Sequence, residues 1–310
     1  MAIYKESMEA FAKINFFLKV CGKRTDGYHI LSTLMQSVSI CDYVTLICSD
    51  SAAEDKIPPG IFLSTDSPDI PSDERNTAYK AARAFLNFLG EKNISVNIHI
   101  QKGIPSQAGM GGGSADAAAV LGALSRVFPD FANKDQLLSM AGKIGADVPF
   151  CMAGGTQLCE GIGDILSPIA PLAGIPLLFI KPICSISTPK AFSLFDSMAV
   201  SEDKLSEKIQ REDAMQRLLC PPNGLDSLLR IKEAAPFLYN DMEIAAEHEY
   251  PVLSEIRFFL MAQGALAARM SGSGSTVFGI FEDVKTRDCA IKKAGVYKRE
   301  GFFIKAGYTL

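Results

Sequence analysis

Residues 104–118 read IPSQAGMGGGSADAA, with glycines at 109, 111, 112 and 113. Upstream, ISVNIHI alternates: Ile94, Val96, Ile98 and Ile100 fall on one face, and Ser95, Asn97 and His99 on the other. That is the period of a half-buried strand. Downstream, Ala117, Val120, Leu121, Leu124 and Phe128 recur at helical spacing, and Ser114 is a residue type that caps helix N-termini, so the helix is expected to begin there. Glycines between the two let the backbone take positive φ and bring its N–H groups close to a ligand. The helix start adds unpaired N–H donors and about +0.5 of an elementary charge from its dipole. A strand, a glycine loop and a helix N-terminus in that order suit a phosphate.

Two common phosphate loops do not fit. No Gly-Lys-Ser/Thr ends the run, and the preceding strand alternates where a buried parallel strand would be continuously apolar. The dinucleotide spacing needs a glycine where Ser114 stands, and Asp116 opens the helix. His-Arg-Asp and Asp-Phe-Gly, the protein-kinase signatures, are absent. A tight strand–helix turn without a ligand is the plain alternative.

The chain has 310 residues, 48% hydrophobic and 21% charged, enough for two domains with a large core. A net charge of −4 with no basic stripe argues against a nucleic-acid partner. The basic run from Lys292 to Arg299 reads as a solvated helix face. Eight cysteines without a Cys-x-x-Cys pair suggest reduced packing thiols in a cytoplasmic protein. Three isolated histidines make a zinc site improbable. MAIYKESMEAF has no apolar signal core, and no stretch approaches the ~18–20 apolar residues that span a bilayer, so no membrane partner is expected.

Residues 51–72, with Pro58-Pro59-Gly60 and Pro68, read as a loop-rich excursion between a strand (Tyr43–Cys48) and a helix from near Asn76. A second Gly- and Pro-rich break at 161–176 places the boundary between a domain of residues 1–165 and one of 166–310. The second half reads as helices near 190–198, 202–219, 239–247 and 251–263, with strands LLFIKP and TVFGIF. Neither half keeps a βαβ rhythm, which favours an α+β fold.

Three places carry side chains suited to chemistry. In FAKINFFLKVCGKRTDGYHIL, a strand turns at Asp26-Gly27 into another strand. Ile14, Phe16, Leu18 and Val20 share a face, so Lys13 and Asn15 point together from the other. Position alone would make Lys13 a solvated strand lysine. Tyr28 and His29 follow the turn and suit either a planar base or an ordinary half-buried surface. In KIGADVPF, Gly145 ends a helix bearing Leu137, Leu138, Ala141 and Ile144, and Pro149 should hold Val148 extended. Asp147 there is either a turn-former or a general base among apolar neighbours.

The stretch from Pro105 to Ala118 resembles the nucleotide loop of the small-molecule kinases related to galactokinase, homoserine kinase, mevalonate kinase and phosphomevalonate kinase. Ala12-Lys-Ile-Asn15 with Gly22-Lys-Arg-Thr-Asp-Gly-Tyr-His29 resembles one branch of it, the 4-diphosphocytidyl-2-C-methyl-D-erythritol kinases of the methylerythritol phosphate route to isoprenoids. The glycine loop, Gly145-Ala-Asp-Val-Pro149, Ser187-Thr-Pro189 and Ser271-Gly-Ser-Gly-Ser275 follow in that family's order, from about residue 9 to 281. Phe11 stands where the family usually has proline, and Met110 replaces a common leucine.

The resemblance implies an N-terminal domain like ribosomal protein S5 domain 2, a ferredoxin-like C-terminal domain and an active site between them. It implies ATP with Mg²⁺, and Lys13 and Asp147 as the catalytic pair, with Asp147 taking the proton of the acceptor hydroxyl. ATP would meet Lys102, Pro105, Ser106, Gln107, Ala108, Gly109, Met110, Gly111, Gly112, Gly113, Ser114 and Ala115. The cytidyl substrate would meet Asn15, Tyr28, His29, Thr188 and Phe192, with the base between Tyr28 and Phe192. Metal ligands stay unassigned, and a monomer or weak homodimer is expected. Rivals are a homoserine- or mevalonate-type kinase of the same superfamily, and a non-catalytic metabolite-binding protein on the same fold. For Ser271–Ser275, a phosphate contact and a simple turn stand open.

Overall fold

The structure is a computed structural model, and it describes residues 3–50, 59–90, 93–198, 212, 215–216, 218–220 and 226–310. The chain divides into two compact units, one of Met1–Ala12, Ile40–Ser106 and Gly111–Ala153, the other of Lys13–Ser39, Gln107–Met110 and Gly154–Leu310. The sequence suggested a single cut after residue 165. The units instead exchange the chain several times, because strands β1 (Ile3–Lys23) and β2 (His29–Asp50) are 21 and 22 residues long and each belongs partly to both.

In the first unit, β4 (Ile94–Gln101) pairs antiparallel with the end of β2 and parallel with β3 (Gly60–Thr65). From Val96 the alternation reads out as expected: Val96, Ile98 and Ile100 are buried, as are Val44, Leu46 and Cys48 opposite them, whereas at the start of the strand Ser95 is buried and Ile94 only half-buried. β3 lies inside the stretch read as loop, since prolines on both sides masked its short alternation of Ile61 and Leu63. Helix α1 (Thr77–Leu89) starts at Asn76, whose side chain accepts from the Ala78 N–H, and stops at Gly90 in the left-handed region. Its inner face is Ala78, Ala81, Ala82, Phe85 and Leu89. Helix α2 (Gly112–Val127) buries Ala115, Ala117, Ala118, Ala119 and Ala123, small residues that let it approach α1, and the Thr77 hydroxyl donates to the Gly113 carbonyl at 2.6 Å. Helix α3 (Lys134–Ile144) opens with a reciprocal Asn133–Gln136 capping box.

Two local readings need correction. α2 begins at Gly112, not Ser114: Gly111 at φ +70° turns the chain straight into the helix without a side-chain cap, so Ser114 is its third residue. Val148 is not extended but opens helix α4 (Val148–Ala153), since Pro149 falls in a first turn, where its missing N–H has no helical partner to lose.

In the second unit, the start of β2 pairs antiparallel with β5 (Thr156–Gly161), and β5 with β6 (Ile165–Pro168), a strand within the stretch read as a break. A separate four-stranded antiparallel sheet has the order β10-β7-β9-β8, built from β7 (Pro176–Lys181), β8 (Ala267–Met270), β9 (Val277–Ile280) and β10 (Phe303–Tyr308). Helices α5 (Thr188–Ser197), α6 (Ser227–Ala234), α7 (Glu243–Glu249) and α8 (Val252–Ala262) lie between β7 and β8. Helices α9 (Val284–Lys293) and α10 (Gly295–Arg299) precede β10. Within the sheet this is the β-α-β-β-α-β arrangement of a ferredoxin-like sandwich. Leu178, Ile180, Met270 and Val277 of the sheet share a core with Leu253, Ile256 and Leu260 of α8 and with Ala290 and Ala294. Most of the helix expected over 202–219 lies outside the described residues.

Candidate active site

Lys13 sits in the middle of β1 with 5% exposure, so the solvated-lysine reading does not hold. Its Nζ donates to Asn15 Oδ1 at 2.8 Å, Asn15 Nδ2 donates to the Thr33 hydroxyl at 2.8 Å, and that hydroxyl donates to the Phe17 carbonyl at 2.6 Å. The two side chains point together, as strand parity required. The Lys13 backbone N–H reaches the Met110 carbonyl at 3.0 Å, which ties β1 to the middle of the glycine loop.

The Ser271–Ser275 turn folds onto the same place. The Ser271 hydroxyl donates to the Gly109 carbonyl at 3.0 Å, and the Thr276 N–H to the Ala108 carbonyl at 3.2 Å. A Cβ on Gly272 would stand 3.0 Å from Lys13 Nζ and 3.2 Å from Asn15 Oδ1. A Cβ on Gly109 would land on the Ser271 carbonyl oxygen and lie 2.9 Å from the Gly274 nitrogen. Two glycine turns and a buried ammonium thus share one small volume.

Left-handed backbone recurs along the first loop, at Gln107 (φ +48°), Gly109 (+70°) and Gly111 (+70°). The first bond inside α2 runs from the Ala115 N–H to the Gly111 carbonyl at 2.8 Å, so the preceding first-turn N–H groups have no carbonyl within the helix to donate to. A glycine-lined backbone ahead of a helix N-terminus fits the polyphosphate of a nucleotide. Pro105 and Ser106 lead into this loop half-buried, Met110 is buried, and Gly113 is exposed.

Lys102 is placed between carboxylates. Its Nζ pairs with Asp42 and, at 2.8 Å, with Asp116 Oδ2. Burial alone would lower the lysine pKa, but the carboxylates outweigh it and hold it above the usual value. Asp116 is 2% exposed, and desolvation pushes its pKa up to about 7, against the pull of Lys102 and with the help of Asp42. The folded chain therefore keeps this proton where an unfolded one, at about 3.9, has lost it. Between those values the folded form binds more protons, so this group's share of stability falls as pH rises from about 4 to 7 and levels off above. We expect Asp116→Asn to abolish that slope. Urea unfolding of both proteins from pH 4.5 to 7.5 should show the wild type losing ground to the variant, by on the order of a few kcal/mol. A constant difference across that range would show that Asp116 does not titrate there.

Asp147 stands half-buried ahead of α4, and its carbonyl accepts the Cys151 N–H at 3.0 Å, so it occupies the N-cap position. Pro149, in the first turn of α4, fixes the backbone that follows it.

A second cluster in the second unit gathers around His29, which is 7% exposed. Its ring stacks on Phe192 at 4.3 Å between centroids and 5° between planes. Its Nε2 lies 2.8 Å from Asp196 Oδ1, and Lys23 Nζ lies 2.5 Å from Asp196 Oδ2. Hydrogen bonds from Lys23 and then His29 hold the Asp196 carboxyl below its ordinary range. Tyr28 is 60% exposed on the turn beside it. Thr188 is exposed at the start of α5, its hydroxyl 3.3 Å from that of Ser273.

Three residues were not foreseen as part of the site. Strand parity that buries Val44, Leu46 and Cys48 also turns Asp42 inward, and Asp116 lies in the loop-to-helix segment itself, so both were signalled. Asp196 reaches His29 across 167 residues, with no local signal. Among the described residues, no group of three or more His, Cys, Asp or Glu is placed to hold a metal ion, and no helix is long and apolar enough to cross a membrane.

The chain is similar to known proteins along most of its length. Residues 76–155 match the GHMP kinases N terminal domain, and residues 225–294 the GHMP kinases C terminal domain. A 4-diphosphocytidyl-2-C-methyl-D-erythritol kinase of Clostridium botulinum is 37% identical over 297 residues, 94% of this chain and 96% of the relative. One of a Synechococcus species is 39% identical over 279 residues, covering 89% and 85%. A crystal structure of a 4-(cytidine 5'-diphospho)-2C-methyl-D-erythritol kinase is similar with a TM-score of 0.73 and 30% identity, over 98% of this chain and 99% of that one. With relatives this similar along nearly its full length, and with both glycine turns around a buried lysine, the chain belongs to the 4-diphosphocytidyl-2-C-methyl-D-erythritol kinase family of GHMP kinases.

Proposed function

We propose that the protein transfers the γ-phosphoryl group of ATP to the 2-hydroxyl of 4-diphosphocytidyl-2-C-methyl-D-erythritol, in the methylerythritol phosphate route to isoprenoid precursors. The observation that carries the choice of acceptor is the His29 cluster. Asp196 engages Nε2, which leaves Nδ1 as the ring nitrogen to meet the polar edge of a cytosine. Homoserine and mevalonate have no base for such a cluster to read. For the cytosine to stand between Tyr28 and Phe192, His29 has to share the Phe192 ring with it. Asn15 and Thr188 are assigned to the same substrate.

The glycine loop from Pro105 to Ala115 would hold the nucleotide phosphates through its amides. Mg²⁺ would spread the charge of the β- and γ-phosphates, held chiefly by the nucleotide and by water, as this ion usually is. Lys13, fixed by Asn15, would hold positive charge beside the acceptor oxygen and the transferred group. Asp147 would orient the hydroxyl. A carboxylate is too weak a base to ionise an alcohol in the ground state, so the proton would pass late, as the phosphoryl group arrives. The protein would act in the cytoplasm as a monomer or weak homodimer.

An ADP-release assay over the cytidyl alcohol, homoserine and mevalonate tests the assignment. Turnover with either of the latter two and none with the first would overturn it. His29→Ala should raise the KM for the cytidyl substrate about five- to 150-fold, the worth of one directional hydrogen bond whose partner is left unpaired, with the KM for ATP nearly unchanged. Loss of ATP binding instead would remove His29 from the base.

A further inference from the structure

β4 and β2 each end their inward row on a charge. In β4 the buried row Val96, Ile98, Ile100 continues to Lys102; in β2 the row Cys48, Leu46, Val44 continues to Asp42. Since Tyr43 pairs with Gln101, the antiparallel register sets Asp42 opposite Lys102, one step beyond the last ladder pair. Three ionisable groups are buried where apolar ones of similar size would often be as stable. What they join is specific. Asp42 Oδ1 accepts the Gly103 and Ile104 N–H groups at 2.6 and 2.7 Å, its Oδ2 accepts from Lys102 Nζ, and the Lys102 N–H donates to Asp66 Oδ1 at 2.9 Å. Those bonds fix the chain as it enters the glycine loop. The same ammonium reaches Asp116 Oδ2 in α2, just after the chain has left the loop, and lies 3.5 Å from where a Cβ of Gly112 would be. Asp116 Oδ1 has no hydrogen-bond partner among the described residues, so the carboxyl serves Lys102 and does not cap the helix.

We propose that the Asp42–Lys102–Asp116 bridge positions the nucleotide loop, tying its entry to its exit so that the loop amides stand preformed for the phosphates. Lys102 then acts through the loop, and Asp42 and Asp116 are positioning residues. This rests on reading residues 105–115 as the nucleotide loop. Preformed donors bind more tightly because their ordering has already been met in the free protein.

Asp116→Ala cuts the exit tie and leaves the Lys102–Asp42 pair in place. Calorimetry with ADP and a non-hydrolysable ATP analogue should show affinity about 10- to 100-fold weaker. The KM for the cytidyl alcohol should stay within about twofold and kcat at saturating ATP within about threefold, a split that general loss of structure would not give. Asp116→Asn, which still offers an acceptor to Lys102, should return nucleotide affinity to within about threefold of wild type. If Asp116→Ala does not fold, Asp116→Ser, with a shorter reach, takes its place. Unchanged nucleotide affinity in the shortened variant, or equal weakening of both substrates, overturns the proposal. Wild-type protein that binds no nucleotide overturns the loop reading as well.

Discussion

Asp147→Asn should lower kcat by about 10²–10⁴, the usual range for loss of a general base, with little change in either KM. The amide keeps the shape of the carboxylate and one acceptor oxygen, so it can still orient the acceptor hydroxyl. It cannot take the proton. The N-cap position of Asp147 sharpens the test, because asparagine caps helices as well as aspartate does and α4 should keep its start. A stability loss therefore should not confound the kinetics, and equal denaturant midpoints for the two proteins would establish that. Near-normal kcat in the variant would remove Asp147 from the chemistry and leave it a turn residue.

Gly109→Ala should be among the most damaging single-methyl additions in this chain. The residue is at φ +70°, which costs an alanine about 1–2 kcal/mol, and its new Cβ would land on the backbone oxygen of Ser271, which cannot rotate away. Overpacking of this kind adds about 1–3 kcal/mol. Gly155→Ala is the control, since Gly155 shares φ +70° but has nothing within 4 Å of the added Cβ. Urea midpoints should show Gly155→Ala mildly destabilised and Gly109→Ala well below it, with nucleotide binding lost only in the second. Equal effects at the two sites would mean that the turns around Gly109 and Ser271 are not packed as the structure has them.

The parts of this protein that local periodicity controls were legible from sequence. β4, the glycine loop, α1 and its Asn76 start follow from alternation, helical spacing and capping chemistry. The cap of α2 lies at Gly111, three residues before the serine that the sequence offers, because a left-handed glycine and a serine cap both begin helices. β3 was hidden by the prolines around it. Of the site, Lys13 and Asn15 could be paired from strand parity, but the burial of Lys13 could not, since it depends on the Ser271 turn more than 250 residues away. Asp42 lies just outside the strand read over Tyr43–Cys48; a charge at the end of the inward row Val44, Leu46, Cys48 was the available signal. Asp196 looked like any polar residue late in a helix, and only the folded chain brings it to His29.

The bonds that run from Lys13 through Asn15 and Thr33 to the Phe17 carbonyl all point one way, each group donating to the next. A one-way relay of this kind has a terminus, the main-chain carbonyl, that no side-chain change can reverse. The threonine hydroxyl must aim its hydrogen there, so it can only receive from the amide, and the amide must then show its oxygen to the ammonium. The orientation of the asparagine is thus dictated from two residues away. Removing the hydroxyl, as in Thr33→Val, would take away the acceptor of the amide's NH₂ and leave the ammonium alone to hold the asparagine in place, loosening a support without altering either of the groups that face each other.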